Sequence, residues 1–476
     1  YKISIRDSKD EYNTIASYIQ AGTAVFDLFF SNGNIYQLIN GNFLEPLTDV
    51  IDSTPAGNER TIREMLTQQE YLTAYSGNDG EIYAIPFQES IKSFVYDHDI
   101  FLKYGLLFNE SGTFITNPNE PLSKGKDGIA GTYDDGHPVN EAQWEAMVIK
   151  ANQLLGTAFS YTGKFANYLN DLFLAITAQC EGVETFATHY YFDDYYDLDG
   201  DGEAETKITP QNGYLLAGSP GKVKALEFME KYLANKDSKL NINTPYINPK
   251  SGTLSYSHTD AQNDFILQSA QNKQNKIAML YEGDWWENEA RTTFKALEAA
   301  GNMEYAFRKR NYKFMTLPIF DGQVEEGNVY PIGEAMYIAL KKQTDPDKKA
   351  ICKDFAAYMF QPKYIQNYAI TCGGVMPYDV RLTEEQTQKL SPFAKNLREI
   401  YYDTRNKFIS WQIFVNSSDP IKSGMPQPVS NGTDWIVMNG LYYYSAQEYI
   451  NKQVMSWNAN WATYYQDYLN YMASKV

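Results

Sequence analysis

The sequence has few cysteines and histidines, and it has no long hydrophobic run. Three cysteines occur among 476 residues, at Cys180, Cys352 and Cys372, and none belongs to a CxxC pair. With only four histidines as well, zinc and iron–sulfur sites are disfavoured, and so sparse a count does not describe a disulfide scaffold. We expect the cysteines to be small buried side chains. The apolar runs, such as Ala24–Phe26, are far shorter than the ~18–20 residues of a membrane-spanning helix.

Positive charge is also scarce. Lysine and arginine total 41 against 59 aspartate and glutamate residues, which gives a net charge of -18. An acidic surface repels phosphate backbones and anionic lipid head groups, so nucleic acid is a poor candidate partner. A neutral ligand such as a sugar experiences no such repulsion.

Aromatic residues, in contrast, are abundant at 15% of the chain. Tyrosine and tryptophan combine a flat apolar face with a polar edge. A sugar ring presents C–H groups on its face and hydroxyl groups around its rim, so such side chains suit it, although aromatic residues also fill cores and interfaces. The length of the chain predicts two domains.

Patterns typical of strands and helices alternate along the chain, which predicts an α/β fold. Lys2–Arg6 and Val25–Phe30 read as strands, and a helix follows the second strand from Ile35 until Gly41. Further elements are predicted throughout, namely strands at 82–87, 93–96 and 277–281 and helices at 140–156, 347–360 and 450–472. No internal repeat or low-complexity linker divides the chain, so two lobes would share it by crossing back and forth.

Several short segments occur in an order and spacing that is familiar. They are Gln20–Ser31, Asn42–Leu47, Ile82–Phe101, Asp127–Gly136, Lys276–Trp285 and Gly373–Pro377. Together they resemble the extracellular solute-binding proteins of carbohydrate ABC importers, of the type found in Gram-positive bacteria. Phe26 stands where that family usually has proline.

The resemblance implies a two-lobed, periplasmic-binding-protein-like (type II) fold with a hinge and an interlobe cleft. The first lobe would comprise 1–94 and 284–327, and the second 95–283 and 328–476. Members of the family usually carry another strand and helix ahead of the segment at Tyr1, so either the given sequence starts after that unit or the first lobe lacks it.

The same resemblance implies that the chain captures a neutral oligosaccharide, works with the membrane permease subunits of an importer and catalyses nothing. It would be a monomer, outside the cell and held at the surface by a lipid anchor, with the anchor and the signal absent from the given sequence. Two alternatives remain at this point: a glycoside hydrolase, since Glu282 and Asp284 lie near a tryptophan, and a surface glycan-binding lectin.

The candidate sugar-binding residues lie at predicted strand ends and crossings between lobes, on an aromatic–polar helix (Tyr168 and Asn170), and in a loop-like region rich in Gly, Ser and Pro (Trp411 and Trp435). They are Asn32, Glu89, Asp284, Trp285, Tyr168, Asn170, Glu334, Trp411 and Trp435. Ordinary turn chemistry or a solvated strand edge would equally explain Asn32 and Glu89. Two neighbouring residues of a strand face opposite ways, so of Trp285 and Trp286 one is expected in the core. Trp457 and Trp461 lie on a helical apolar stripe and are also expected in the core.

One acidic segment resembles the first half of a calcium loop. Asp197, Asp199 and Asp201 alternate ahead of Gly202, but the twelfth position holds Ile208 in place of glutamate. The bidentate ligand would then come from Glu203, Glu205 or Asp193. A solvated acidic loop is the alternative, but clustered carboxylates repel one another without a cation, so we expect Ca²⁺.

A second segment is as rich in glycine and aspartate. Asp127, Asp134 and Asp135 fall within it. They form a weaker calcium candidate, because no regular alternation of ligands is visible.

Overall fold

The chain forms two compact units in a computed structural model, which describes residues 12–33, 35–165, 167–191, 195–197, 205–233, 246–410 and 445–474. Unit 1 is made of Tyr1–Glu89, Glu334–Gln388 and Ser410–Ser423. Unit 2 is made of Ser90–Gly333, Lys389–Ile409 and Gly424–Val476. The chain therefore passes from one unit to the other more than once, as the sequence suggests.

The boundaries of the units differ from the predicted ones. The sequence places 284–327 in the first lobe, but this segment lies in unit 2, where Tyr312–Met315 pairs with the end of strand Ala84–Asp97. Conversely, Glu334–Gln388 belongs to unit 1, because Tyr337–Leu340 pairs with strand Leu28–Ser31. The partner of a strand decides its unit, and local sequence patterns do not reveal that partner.

Unit 1 holds short helices around one antiparallel strand pair. Leu28–Ser31 pairs with the second half of strand Val329–Leu340, and Ala84–Asp97 begins in this unit. The helices are Tyr12–Gln20, Tyr36–Asn40, Thr48–Ile51, Ile62–Met65, Glu70–Ala74, Pro346–Met359, Pro362–Cys372 and Glu384–Gln388.

Unit 2 is built on a mixed sheet. Strand Lys276–Gly283 pairs antiparallel with Lys92–Tyr96 on one side and parallel with Gly156–Ser160 on the other. Tyr312–Met315 pairs with the far edge of the strand that contains Lys92. Every residue of Lys276–Gly283 is buried, and the strand is paired on both sides, so it is a central strand of the sheet. The residues directly after Gly283 are therefore anchored to a buried strand.

The remaining elements of unit 2 surround this sheet. The other strands are Tyr195–Tyr196, Thr206–Lys207 and Lys407–Ile409. The α-helices are His98–Tyr104, Glu141–Leu155, Asn167–Glu181, Val183–Tyr191, Pro220–Leu233, His258–Ala270, Trp286–Glu289, Arg291–Ala299, Pro392–Tyr402 and Ala446–Ser474, with 3₁₀ turns at Gly213–Gly218, Pro249–Gly252 and Met303–Tyr305.

Helix boundaries follow the signals in the sequence closely. The Asn140 side chain accepts a hydrogen bond from the backbone N–H of Gln143 at the start of helix Glu141–Leu155, as an N-cap does. Gly156 ends the helix in the left-handed conformation with φ of 89°. The helix predicted at 347–360 runs over Pro346–Met359.

Strand boundaries are less well predicted. The two strands expected at 82–87 and 93–96 form one uninterrupted strand, Ala84–Asp97. The strand expected from Val25 begins only at Leu28, because its register is set by pairing with Tyr337–Leu340, and Val25 itself is exposed. The strand expected at Lys2–Arg6 lies outside the described residues.

The carboxyl-terminal helix confirms the predicted stripe. Trp457 and Trp461 are buried and stacked on each other, with ring centroids 5.9 Å apart. Trp461 also donates its Nε1–H to the carbonyl oxygen of Thr209, at 2.8 Å. These side chains fix helix Ala446–Ser474 to unit 2. Among the described residues, no helix combines the length and the apolar character needed to cross a membrane.

Candidate ligand-binding site

Two predicted aromatic residues meet in unit 2. Tyr168 lies in the first turn of helix Asn167–Glu181, and Trp285 lies just beyond the central strand Lys276–Gly283. Their rings are 6.1 Å apart at 89°. This edge-to-face arrangement is favourable for aromatic pairs. We refer to Tyr168 and Trp285, together with Lys92, Asp171 and Asp284, as the aromatic site.

The backbone beneath Trp285 explains where its indole ring lies. A Cβ atom on Gly283 would fall 2.2 Å from the ring, so only glycine lets the ring lie against the end of the strand. The next residue, Trp286, is fully buried and packs at 4.8 Å from the ring of Tyr312. As predicted, one tryptophan of the pair is in the core, and Trp285 is the partly exposed one.

Lys92 lies beneath both rings. Its Nζ atom is 4.3 Å from the centroid of Tyr168 and 5.5 Å from that of Trp285. The same atom forms an ion pair with Asp171, and both side chains are almost fully buried. Burial raises the pKa of Asp171, and the charge of Lys92 opposes that shift. A buried cation at this distance from two aromatic faces attracts both of them.

Asp284 and Asn170 complete the polar side of this region. Asp284 is buried, and its backbone N–H donates to the carbonyl oxygen of Ile91 at 3.0 Å. Asn170 is half-buried on the helix that carries Tyr168, and its Oδ1 has no hydrogen-bond donor among the described residues. An unused amide oxygen is suited to accept a hydrogen bond from a hydroxyl group.

A chain of acidic and amide groups lies beside the aromatic site. Glu282 accepts hydrogen bonds from the backbone N–H of Gly283 at 3.0 Å and from Gln262 Nε2 at 3.3 Å. Gln262 also donates to Glu289 at 2.8 Å. Burial raises the pKa of Glu282 from 4.5 to about 7, because desolvation disfavours the charged form.

The same chain reaches Tyr168 through a histidine. His258 stacks on Tyr168, with ring centroids 6.3 Å apart, and its Nε2 lies 3.7 Å from Glu289 Oε1. Hydrogen bonding to Glu289 raises the pKa of His258. The rings of the aromatic site are thus in contact with groups that can change charge.

The other candidates in unit 1 are not part of the aromatic site. Asn32 is exposed directly after strand Leu28–Ser31, where the sequence places it. Glu89 is fully buried, and its carboxylate accepts hydrogen bonds from Gln68 at 3.1 Å and from Tyr71 at 3.0 Å. The structure thus gives Glu89 partners within unit 1.

Three further candidates have little structural description. Glu334 lies within strand Val329–Leu340, but its side chain is outside the described residues. Trp411 and Trp435 fall in 411–444, which is also outside them. The role proposed for these residues stays a prediction.

The calcium segments are only partly described. Asp199, Asp201 and Glu203 lie outside the described residues, whereas Asp197 and Glu205 lie within them. In the part of the chain that the structure describes, no group of three or more acidic, histidine or cysteine side chains is arranged to hold a metal ion. Calcium at this loop therefore stays a prediction.

The second acidic segment is organised by its own backbone. Asp134 is fully buried and accepts the backbone N–H of Asp127 at 3.0 Å, and Asp135 accepts that of Gly131 at 2.7 Å. The guanidinium group of Arg405 lies 3.3 Å from the carboxylate of Asp127. Burial raises the pKa of Asp134 to about 6. These contacts compensate part of the carboxylate charge without a metal ion.

Sequence reasoning undervalued two residues of the aromatic site. Lys92 lies on the same strand as the candidate Glu89, three residues further on, and no local pattern distinguishes it from a solvated lysine. Asp171 carries a clearer signal. It lies three residues after Tyr168 in one helix, so both side chains occupy the same helix face.

The chain matches a known family over most of its length. Residues 1–390 match the sequence model of a family described as bacterial extracellular solute-binding protein. No curated protein sequence matches the chain.

Solved structures of similar fold cover nearly the whole chain. A chitin oligosaccharide binding protein is 15% identical with a TM-score of 0.55, covering 93% of this chain and 86% of its own. The apo form of RafE from Streptococcus pneumoniae is 15% identical with a TM-score of 0.53, covering 96% and 90%. A Streptococcus pneumoniae solute-binding protein in complex with the blood group A trisaccharide is 13% identical with a TM-score of 0.52, covering 95% and 90%. These similarities confirm the predicted two-lobed α/β fold class.

Proposed function

This chain belongs to the bacterial extracellular solute-binding proteins, and we propose that it captures a neutral oligosaccharide for an ABC importer. The family assignment agrees with the resemblance carried by the sequence motifs. Proteins of this family bind solutes and are not enzymes, so the proposal assigns no catalytic step to any residue of the chain.

The observation that carries the sugar assignment is the aromatic site. Trp285 provides a partly exposed apolar face against the buried ring of Tyr168, and Asp284 supplies carboxylate oxygens at the neighbouring position in the chain. A sugar needs both, because its ring stacks through C–H groups while its hydroxyl groups donate hydrogen bonds. Amino-acid ligands would require a fixed countercharge for each of their two charged groups. Lys92, the cation beneath the rings, is already neutralised by Asp171.

Two further facts support the choice of an uncharged sugar. The net charge of -18 disfavours anionic ligands. Among the similar structures, one is described as binding chitin oligosaccharide and another as a complex with a trisaccharide. Neither fact identifies the sugar, whose hydroxyl pattern would be read by side chains around the rings.

The cellular setting follows from the same proposal. The protein would work as a monomer outside the cell, attached to the surface by a lipid anchor, and would deliver its ligand to the membrane permease subunits of the importer. Release is part of this task, so the affinity should be moderate. We expect dissociation constants in the micromolar range or somewhat lower, and 1 μM corresponds to about -8 kcal/mol.

A second candidate function is glycoside hydrolysis, which one observation favours. The pKa of Glu282 is raised to about 7, and a raised carboxyl pKa is what a general acid of such an enzyme needs. However, Glu282 is buried and engaged by Gln262 and by the backbone of Gly283. These hydrogen bonds indicate that Glu282 stabilises the local structure, so we favour the binding function.

The test is a calorimetric screen of neutral oligosaccharides, monosaccharides, amino acids and peptides, followed by chromatography of the recovered ligand. We expect at least one oligosaccharide to bind and to be recovered intact. Binding of amino acids or peptides alone would overturn the sugar assignment. Recovery of shortened oligosaccharides would instead support the hydrolase.

A further inference from the structure

Lys92 and Asp171 form a buried ion pair directly beneath the aromatic rings. The exposed fraction of the side chain is 2% for Lys92 and 6% for Asp171. Two buried charges are costly to desolvate, and replacing such a pair with apolar side chains of similar volume is often neutral or stabilising. Stability alone therefore gives little reason for this pair to lie here.

The position of the ammonium group suggests a different role. Lys92 Nζ is within 6 Å of both ring centroids, at 4.3 Å for Tyr168 and 5.5 Å for Trp285. A desolvated cation attracts the face of an aromatic ring more strongly than a solvated one does. Lys92 thus attracts both rings at once, and the ion pair with Asp171 holds its ammonium group in the position where it contacts them.

The chain also leaves room for the lysine stem. A Cβ atom on Gly333 would lie 2.5 Å from Lys92 Cε and 2.9 Å from its Nζ. Any side chain at this position would push the ammonium group away from its place beneath the rings. The position of the lysine is therefore defined from two sides, by Asp171 and by the bare backbone of Gly333.

We propose that Lys92 and Asp171 are positioning residues that set the angle between Tyr168 and Trp285 and, through that angle, the affinity for the oligosaccharide. The proposal rests on the proposed function, because it assigns the rings to ligand binding. The pair has no net charge, so it orders the rings without attracting anionic sugars. Neither residue needs to touch the ligand.

The decisive variant replaces both charges together, as Lys92→Met with Asp171→Leu. Such a change keeps the volume and leaves no buried charge without a partner, so the unfolding midpoint in urea should be retained. We expect the affinity for the oligosaccharide to fall at least tenfold even though the protein is folded. The single variant Lys92→Arg, which keeps a cation, should lose much less.

A matched control removes a buried ion pair elsewhere in unit 2. Arg310 pairs with Asp97, and its guanidinium group lies over the ring of Tyr305. Arg310→Met with Asp97→Asn removes this pair while keeping a side chain that can cap the helix starting at His98. This control should leave the affinity unchanged. If the Lys92 and Asp171 double variant binds as tightly as the wild type, the positioning role is overturned.

A second readout does not depend on the ligand. The emission of Trp285 is obtained as the difference between each protein and its Trp285→Phe counterpart, and it should change in the double variant and in Gly333→Ala. If the wild type binds no oligosaccharide, the proposed function fails, but an emission change would still support the positioning of the rings. Unchanged emission in both variants would overturn it in either case. Gly333→Ala covers the possibility that the double variant does not fold.

Discussion

The ring of Tyr168 meets the indole of Trp285 edge to face, at an interplanar angle of 89° and a centroid distance of 6.1 Å. Tyr168 comes from a helix that begins at Asn167, and Trp285 follows a central strand that ends at Gly283. The geometry joins two residues more than a hundred positions apart in sequence. It places the partly exposed indole of Trp285 against a buried tyrosine ring, and the contribution of this pair to binding can be measured.

Trp285→Ala should weaken oligosaccharide binding, while Trp461→Ala should mainly weaken the fold. Losing a stacked ring costs roughly 1–3 kcal/mol of binding, by analogy with rings that stack on nucleic-acid bases. Trp461 is fully buried and hydrogen-bonded to Thr209, so truncating it should cost about 3–5 kcal/mol of unfolding free energy. Calorimetry and urea unfolding measure the two effects. Equal affinity of the wild type and the Trp285 variant would remove Trp285 from the site.

Gly283→Ala should reproduce the binding defect of Trp285→Ala. The added methyl group would lie 2.2 Å from the indole ring, so the ring must leave its place against the strand. We expect a loss of affinity of roughly tenfold, and no further loss when the change is made in the Trp285→Ala background, because residues in contact are not additive. Additive losses measured by calorimetry would mean that Gly283 acts on binding independently of Trp285.

Stability should fall with rising pH because of Glu282. Its pKa is raised from 4.5 to about 7, so between these values the folded state holds a proton that the unfolded state has released. Stability is then fully present below about pH 4.5 and is lost up to about pH 7, by an amount on the order of 2–3 kcal/mol.

Glu282→Gln removes this titration. The variant should therefore be more stable than the wild type at pH 8, and the difference between them should be smaller at pH 4.5. Urea unfolding at both pH values measures the difference, and Asp52→Asn, at an exposed position, serves as the control. Glu287, whose pKa burial also raises to about 7, contributes in the same direction, so the dependence on pH should be reduced and not abolished. An unaltered dependence on pH would exclude Glu282 as a source.

Calcium should stabilise the protein if the loop around Asp197, Asp199 and Asp201 binds it. An ion that binds only the folded state adds about 2.7 kcal/mol at a hundredfold excess over its dissociation constant. A thermal melt with chelator and then with added Ca²⁺ measures the shift, and sugar affinity should change little. An unchanged melting temperature, with no metal found by elemental analysis, would identify solvated acidic turns.

Local signals in the sequence predicted the parts of the fold that are determined locally. Asn140 and Gly156 mark the ends of a helix because capping and the left-handed conformation depend on single residues. That one of Trp285 and Trp286 lies in the core was also predicted, although both residues lie in a helical turn after strand Lys276–Gly283 and not in the strand itself. Both arguments use only neighbouring residues.

Long-range packing explains what was not predicted. The ion pair between Lys92 and Asp171 joins residues 79 positions apart, and the exclusion of a side chain at Gly333 arises from contact with that same lysine. Neither contact leaves a periodic pattern in the sequence. Glu89 is another example, because its burial depends on contacts with Gln68 and Tyr71 that the sequence does not reveal. The sequence therefore favoured Glu89 as a binding residue. The predicted interlobe cleft stays a prediction.

The way the chain passes between its units has a consequence for the order of folding. Two of the crossings fall inside strands, at Glu89–Ser90 and at Gly333–Glu334. Strand Leu28–Ser31 pairs with Tyr337–Leu340. At about 5–20 residues per second, the ribosome needs on the order of 15–60 s to make the roughly 300 residues between them. The long segment Ser90–Gly333 is complete before that partner exists, so the portion of the protein that is synthesised first can be the last to fold.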